Sequence, residues 1–176
     1  MTADQIFKGG VYKTIDELRT ELLNDKFYHE RLYTLRKYKL FGDIDGYDKP
    51  ISNFIEIYIK FLKEGYDLDV KVEDVYYTEN KGKKGSYHYV IPKYHAYCRD
   101  LKDIHKNFLK EYGKEFTKIE IGKDDKSIIK SIIDTKVYAD HWFRLPNQTK
   151  PNEMNRTAIH KIVVGTDVTD FVLEYI

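Results

Sequence analysis

Asp43 and Asp45 are the first residues whose types and spacing suggest chemistry. They follow the apolar run Leu40-Phe41-Gly42, which reads as the end of a strand. Residues i and i+2 of a strand project from one face, so the two carboxylates repel unless a cation lies between them. Hard divalent ions such as magnesium take oxygen ligands of this kind. The competing reading is a polar Asp-x-Asp-Gly turn. Ser86 and His88 repeat the i, i+2 spacing on a second segment, with Tyr87 and Tyr89 facing the other way. If that strand begins by Lys84, then Lys84, Ser86 and His88 form a row of three polar groups. Such a row is costly to cover with protein, and a lysine, a hydroxyl and an imidazole together suit a triphosphate. The plainer readings are a solvated lysine-glycine loop (Glu79 to Gly85) and a half-buried histidine with its hydrogen bonds satisfied. Asp134 stands at the edge of the apolar pair Ile132-Ile133, where an acid either caps a turn or joins a site. Arg144 lies between Phe143 and Leu145 and so points away from them, and Lys150 follows six residues later. The plain reading of Arg144 is a surface arginine.

The elements that must position these groups are legible from periodicity. Thr14 and Glu17 have the form of a capping box, and Ile15, Leu18, Leu22 and Leu23 make one apolar stripe, which predicts a helix over Thr14 to Asn24. Phe27 to Tyr33 and Lys37 to Asp43 read as strands. Ile51 to Glu64 reads as a helix, Leu68 to Tyr77 as a strand, Ser86 to Ile91 as a strand stopped by Pro92, and Arg99 to Tyr112 as a helix. Lys118 to Ile121 reads as a short strand and Ser127 to Ile133 as a helical turn. Val137 to Leu145 and Ile159 to Val164 read as extended. From Lys37 to Leu145 the order is strand, helix, strand, strand, helix, strand. This is the βαββαβ order of ferredoxin-like and RNA-recognition-motif (RRM-like) folds, an α+β class with added N- and C-terminal elements. The fold alone decides no function.

Composition narrows the classes. The 176 residues suit one domain over 1–176, with 41% hydrophobic and 34% charged residues excluding a disordered tail. Cys98 is the one cysteine, which excludes an internal disulfide or a multi-cysteine zinc ribbon and points to a reducing, cytoplasmic compartment. No apolar run approaches a membrane span, and Asp4 so near the start argues against a secretory signal. The net charge of +1 excludes a uniformly basic nucleic-acid coat but not a local basic face. Arg31, Arg36, Lys37 and Lys39 lie in a stretch without an acid, and the 16 tyrosines supply rings on which bases could stack.

Taken in order, Asp43-x-Asp45, Lys84-x-Ser86-x-His88, Ile133-Asp134-x-x-Val137-Tyr138, Phe143-Arg144-Leu145 and Lys150 resemble the archaeo-eukaryotic primase superfamily. The likeness is to its primase-polymerase and large-DNA-virus primase-helicase branches, and it covers about Leu40 to Lys150. The resemblance implies an RRM-like catalytic core and a DNA primase or polymerase serving DNA replication in a virus or mobile element. It implies that Asp43, Asp45 and Asp134 hold two divalent ions, Mg2+ or Mn2+. It further implies that Lys84, Ser86 and His88 contact the phosphates of the incoming nucleotide, with His88 also in the catalytic set, and that Arg144 and Lys150 complete a positive wall. The implied partners are a DNA template and primer, nucleoside triphosphates, and a helicase, fused or separate, since no GxxxxGK[ST] loop occurs in this chain. Without a zinc module in the chain, the resemblance implies primer extension rather than unaided initiation. Template and primer are expected over a surface that includes Arg31, Arg36, Lys37 or Lys39. Two other readings compete. A metal-dependent nuclease accounts for the acids and His88 but not for the cationic row, and an RRM-like single-strand binder has no need of three acids.

Overall fold

The computed structural model describes residues 14–25, 27–150 and 159–174; the reading of Asp4 lies outside them. Helix α1 (Ile15–Glu21) opens on the expected capping box, with Thr14 Oγ1 accepting from Glu17 N at 3.2 Å and Glu17 Oε2 accepting from Thr14 N at 3.3 Å. Strands β1 (His29–Leu32) and β2 (Lys37–Ile44), helix α2 (Ile51–Tyr66), strands β3 (Tyr76–Asn80) and β4 (Tyr87–Tyr97), and helix α3 (Cys98–Tyr112) follow. Strands β5 (Thr117–Ile121) and β6 (Ser127–Ser131) form a hairpin, β7 (His141–Arg144) pairs with β1, and β8 (His160–Val164) comes last. The class is mixed α+β with antiparallel sheets.

The main sheet has the order β2-β4-β3-β8, antiparallel throughout. Its register sets Gly42 opposite Tyr89 and Asp43 opposite His88. Alternation therefore sends Tyr89 to one face and Asp43 with His88 to the other. Helices α2 and α3 cover the Tyr89 face, because the stripes of both helices are apolar and aromatic. Phe54 and Tyr58 of α2 lie 5.3 and 5.5 Å from the Tyr89 ring, and Phe108 of α3 lies 5.8 Å from Phe54. Burying side chains of this size contributes about 1.5–3 kcal/mol each. Gly42 lets Tyr89 lie flat against β2: a Cβ there would come within 2.4 Å of the tyrosine ring.

The Asp43–His88 face is covered only in part, by the β1–β7 ribbon and the segment around Phe171 and Leu173. Phe143 of β7 lies 5.1 Å from Phe41 and 4.3 Å from His88. The outer edge of β2 is closed by two short segments rather than a full strand. At its start Lys39 N donates to Leu173 O at 2.8 Å, and at its end Ile44 bridges Ile133. Such cover blunts an otherwise open edge.

Four sequence-based expectations need correction. Pro92 does not stop β4, because the register jumps from the Leu40–Ile91 pair to the Lys39–His95 pair; the extra residues bulge, and a bulge is where a strand tolerates proline. Residues 127–131 form a strand, not a helical turn, since their isoleucines pair with β5 (Ile119 opposite Ile129). Residues 68–75 are irregular around a 3-10 turn at Val72–Asp74, where Asp74 Oδ2 takes the Lys71 N–H at 2.9 Å. Finally, Val137 to Leu145 does not supply the last strand of the sheet. Asp134 caps a 3-10 turn over Thr135–Val137, the short strand that follows pairs with β1, and β8 takes the place beside β3. No helix among the described residues is long and apolar enough to cross a membrane.

Candidate functional site

Backbone hydrogen bonds set three aspartates side by side at one end of the main sheet. Asp43 and Asp45 stand at the end of β2 and just past it. The Ile132–Asp134 segment runs antiparallel beside them: Asp45 N donates to Ile132 O at 2.7 Å, and Asp134 N donates to Asp43 O at 3.0 Å. Burial, then the charges of Asp134 and Asp45, push the Asp43 carboxyl up to about 7, against the opposing pull of Arg144 and Lys150. Among the charges that act on Asp43, those of Asp134 and Asp45 are the strongest.

Asp45 is held differently. Burial works to raise its pKa, but hydrogen bonds from Lys118, Lys83 and Ser86 outweigh it and hold the carboxyl well below the usual range. Lys118 Nζ lies 2.6 Å from Oδ2, while Lys83 Nζ at 2.5 Å and Ser86 Oγ at 2.9 Å meet Oδ1. Lys118 reaches across from β5 and is clamped from behind by Glu120 at 2.8 Å. Gly85 sets up the Ser86 contact. It has φ +75 and a carbonyl 2.8 Å from Tyr47 N, and a Cβ there would fall 2.1 Å from Tyr47 O.

The expected row of Lys84, Ser86 and His88 is only partly formed. Ser86 and His88 share the acidic face, but β4 begins at Tyr87 and the left-handed Gly85 ends the alternation before Lys84. Lys84 is exposed on the turn, and Lys83 makes the contact with Asp45 instead.

His88 is buried, with Nε2 3.6 Å from Asp43 Oδ1. Its ring stacks on His160 at 3.7 Å. Burial, with the charges of His160 and Arg144, holds its pKa well below the ordinary value, so the imidazole is neutral at pH 7 although the Arg144 backbone accepts a hydrogen bond from it. His160 comes from β8 and shares a hydrogen bond of 3.0 Å with Thr78 of β3. Burial, Arg144 and Lys150 bring its pKa down to about 3. A small pocket of about 10 Å³, room for about one water molecule, opens here, lined by Thr78, His88, Phe143, Arg144, Pro146 and Phe171. Arg144 thus lines the same pocket as His88, and the charges of Arg144 and Lys150 act on Asp43, His160 and His29.

His160, Thr78, Lys83 and Lys118 belong to this site and are not apparent from the sequence. His160 lies in a segment that reads as extended, but nothing local assigns β8 to the edge beside β3. Among the described residues, no three His, Cys, Asp or Glu side chains are disposed to hold a metal ion. Both oxygens of Asp45 are taken by lysine ammonium groups and Ser86, and Asp134 Oδ1 accepts from Lys136 N at 2.8 Å. The donors still fit a hard divalent cation in kind: three carboxylates from two segments at one sheet end. No protein-family model and no curated protein sequence matches the chain.

Proposed function

We propose that this chain is a template-directed nucleotidyltransferase, a DNA primase or polymerase that extends a primer with nucleoside triphosphates. The observation that carries the reading is the pairing of Ile132–Asp134 with the end of β2. It sets Asp43, Asp45 and Asp134 on the face that also bears Ser86 and His88, with Arg144 and Lys150 near enough for their charges to act on Asp43. An RRM-like core is the finer fold reading. It is supported by the β2-α2-β3-β4-α3 succession with β4 between β2 and β3, both helices lying on one face.

Asp43, Asp45 and Asp134 would hold two divalent ions, Mg2+ or Mn2+, which when bound assist the attack of a primer 3′-hydroxyl and the departure of pyrophosphate. Lys83 and Lys118 pair with Asp45, and a cation held there would compete with them for its oxygens. His88, held between His160 and Phe143, gives the one N–H of its neutral form to the Arg144 carbonyl, so it would donate to a phosphate oxygen only on taking a second proton, which a triphosphate's negative charge favours. Arg144 and Lys150 bring fixed positive charge to the same wall, where triphosphate charge builds as the bond breaks. The cationic wall is what favours this reading over phosphodiester hydrolysis.

The test is incorporation of labelled ribo- and deoxyribonucleotides on a primed template with Mg2+ or Mn2+. Extension by the wild-type chain, abolished in Asp43→Ala plus Asp45→Ala, is the expected result. Cleavage of the strand without incorporation would replace the proposal with a nuclease.

A further inference from the structure

The β1–β7 ribbon carries a second chemistry away from the acids. Its register sets His29 opposite Arg144 and Arg31 opposite Trp142. Alternation puts all four on one face of the ribbon, so a row starts at Arg144 in the cavity wall and leads outward through Trp142 and Arg31. The Arg31 guanidinium lies 5.1 Å from the Trp142 ring and 5.6 Å from the Tyr33 ring, and Arg36 lies 5.1 Å from the other part of the same platform, Tyr33. Cys98 N donates to Arg36 O at 2.9 Å, which joins this row to a further group where Lys37 and Arg99 lie 5.1 and 5.5 Å from the Tyr97 ring. Tyr33 and Tyr97 are 42% and 39% exposed, so their rings remain reachable.

We propose that this row binds single-stranded nucleic acid, the template strand, and leads it from solvent to the Arg144 end of the candidate site. The proposal rests on the polymerase reading for the word template and on the row itself for the ligand class. Guanidinium groups laid over aromatic rings are flat and oriented, and unpaired bases stack both on aromatic faces and on guanidinium planes. Duplex does not offer its bases in that way. Cations alternate with rings along the row, which matches a ligand that alternates phosphates with bases. Three acids lie nearby and are engaged: Glu174 with Arg36 at 3.1 Å, Asp140 with Thr34 N at 2.9 Å, and Asp100 with Arg99 at 3.8 Å. Their presence makes the electrostatic part of binding modest and leaves stacking the larger share. Lys39, expected from sequence in this surface, is not part of it. Its Nζ is turned to Asp170 O at 3.2 Å, and burial lowers its pKa.

The experiment is fluorescence anisotropy of a labelled oligothymidylate and of a duplex of equal length, titrated with the full chain at several salt concentrations. The variants are Arg31→Ala plus Tyr33→Ala plus Arg36→Ala, and a charge-matched control, Lys60→Ala plus Lys63→Ala on α2. The wild type should prefer the single strand. The triple variant should bind it about tenfold or more weaker, with the salt slope reduced by about 0.7 for each phosphate that is no longer neutralised. The control should match the wild type. Unchanged affinity in the triple variant, equal weakening in the control, equal affinity for duplex, or no binding by the wild type each overturns the proposal. Circular dichroism of the triple variant separates a binding defect from unfolding, and Arg31→Lys plus Arg36→Lys, which keeps charge but not planar stacking, should show an intermediate loss. If the wild type binds through this row but incorporates no nucleotide on any template, the polymerase reading fails and the surface stands. If it extends primers and the triple variant does so equally well at low template concentration, the surface fails and the polymerase reading stands.

Discussion

Two buried histidines lie on opposite faces of the main sheet, and their surroundings differ more than their burial. His105, on α3, is enclosed by the helix-side core. Its Nδ1 donates to Leu101 O at 2.7 Å, its Nε2 accepts from the Tyr58 hydroxyl at 3.0 Å and from Tyr89, and its ring stacks on Tyr138 at 4.6 Å. Burial lowers its pKa to about 4. His88, on β4, is lowered too, again chiefly by burial, but its neighbours are Asp43, Arg144 and a second imidazole. A depressed pKa is therefore common to both and distinguishes neither. What distinguishes them is that every polar partner of His105 is a neutral core group, whereas His88 faces charges that belong to the candidate site.

The two faces should fail in different ways. On the helix side, Phe54→Ala removes a ring that touches Tyr58, Tyr89, Phe108 and Phe116, and urea unfolding should show a loss of about 3–5 kcal/mol. A loss below about 1 kcal/mol would mean that this face is not the principal core. His105→Ala removes a buried ring and the nitrogen that the Tyr58 and Tyr89 hydroxyls share, and should cost about 2–4 kcal/mol of stability, leaving incorporation per folded molecule unchanged. His88→Ala should do the reverse: incorporation falls about a hundredfold while the urea midpoint moves little. Equal stability losses with equal activities would erase the distinction.

The same contrast has a pH signature. The unfolded chain protonates His105 below about 6.5, whereas the folded chain resists until about 4. Between those values the unfolded state binds more protons, so stability falls as pH falls, by up to about 1.4 kcal/mol per unit. Replacing His105 by Gln should flatten that part of the profile. Glu30 works in the opposite sense. Burial raises its folded pKa to about 7 although Leu173 N and Glu174 N donate to it, so its contribution is full below about 4.5 and is lost as pH rises towards 7. Glu30→Gln should remove that loss, as measured by thermal melts across pH 4 to 8.

Much of this is legible locally. The capping box at Thr14, the stripes of α2 and α3, and the i, i+2 alternation of Asp43 with Asp45 and of Ser86 with His88 depend on near neighbours in the chain. What stays hidden depends on long-range pairing. Nothing near residues 127–131 says that Ile129 lies opposite Ile119 of β5, and nothing near His160 says that β8 completes the sheet beside β3. Parity alone favours Lys84 over Lys83, and a left-handed glycine between turn and strand breaks parity. The smallest expected effect follows from that correction: Lys84→Ala should change incorporation and stability by no more than about 0.5 kcal/mol in equivalent free energy. A larger effect confined to nucleotide kinetics would restore Lys84 to the site.

The convergence of Asp134 with Asp43 is the central claim, and single-turnover extension of a primed template tests it most directly. The comparison is of wild type, Asp43→Asn, Asp134→Asn and, as a control, Asp103→Asn on the exposed side of α3, each checked for fold by circular dichroism. Both site variants should lose at least about a hundredfold in rate while the control keeps the wild-type rate. A folded Asp134→Asn chain that extends primers as fast as wild type, beside an inactive Asp43→Asn, would contradict the account.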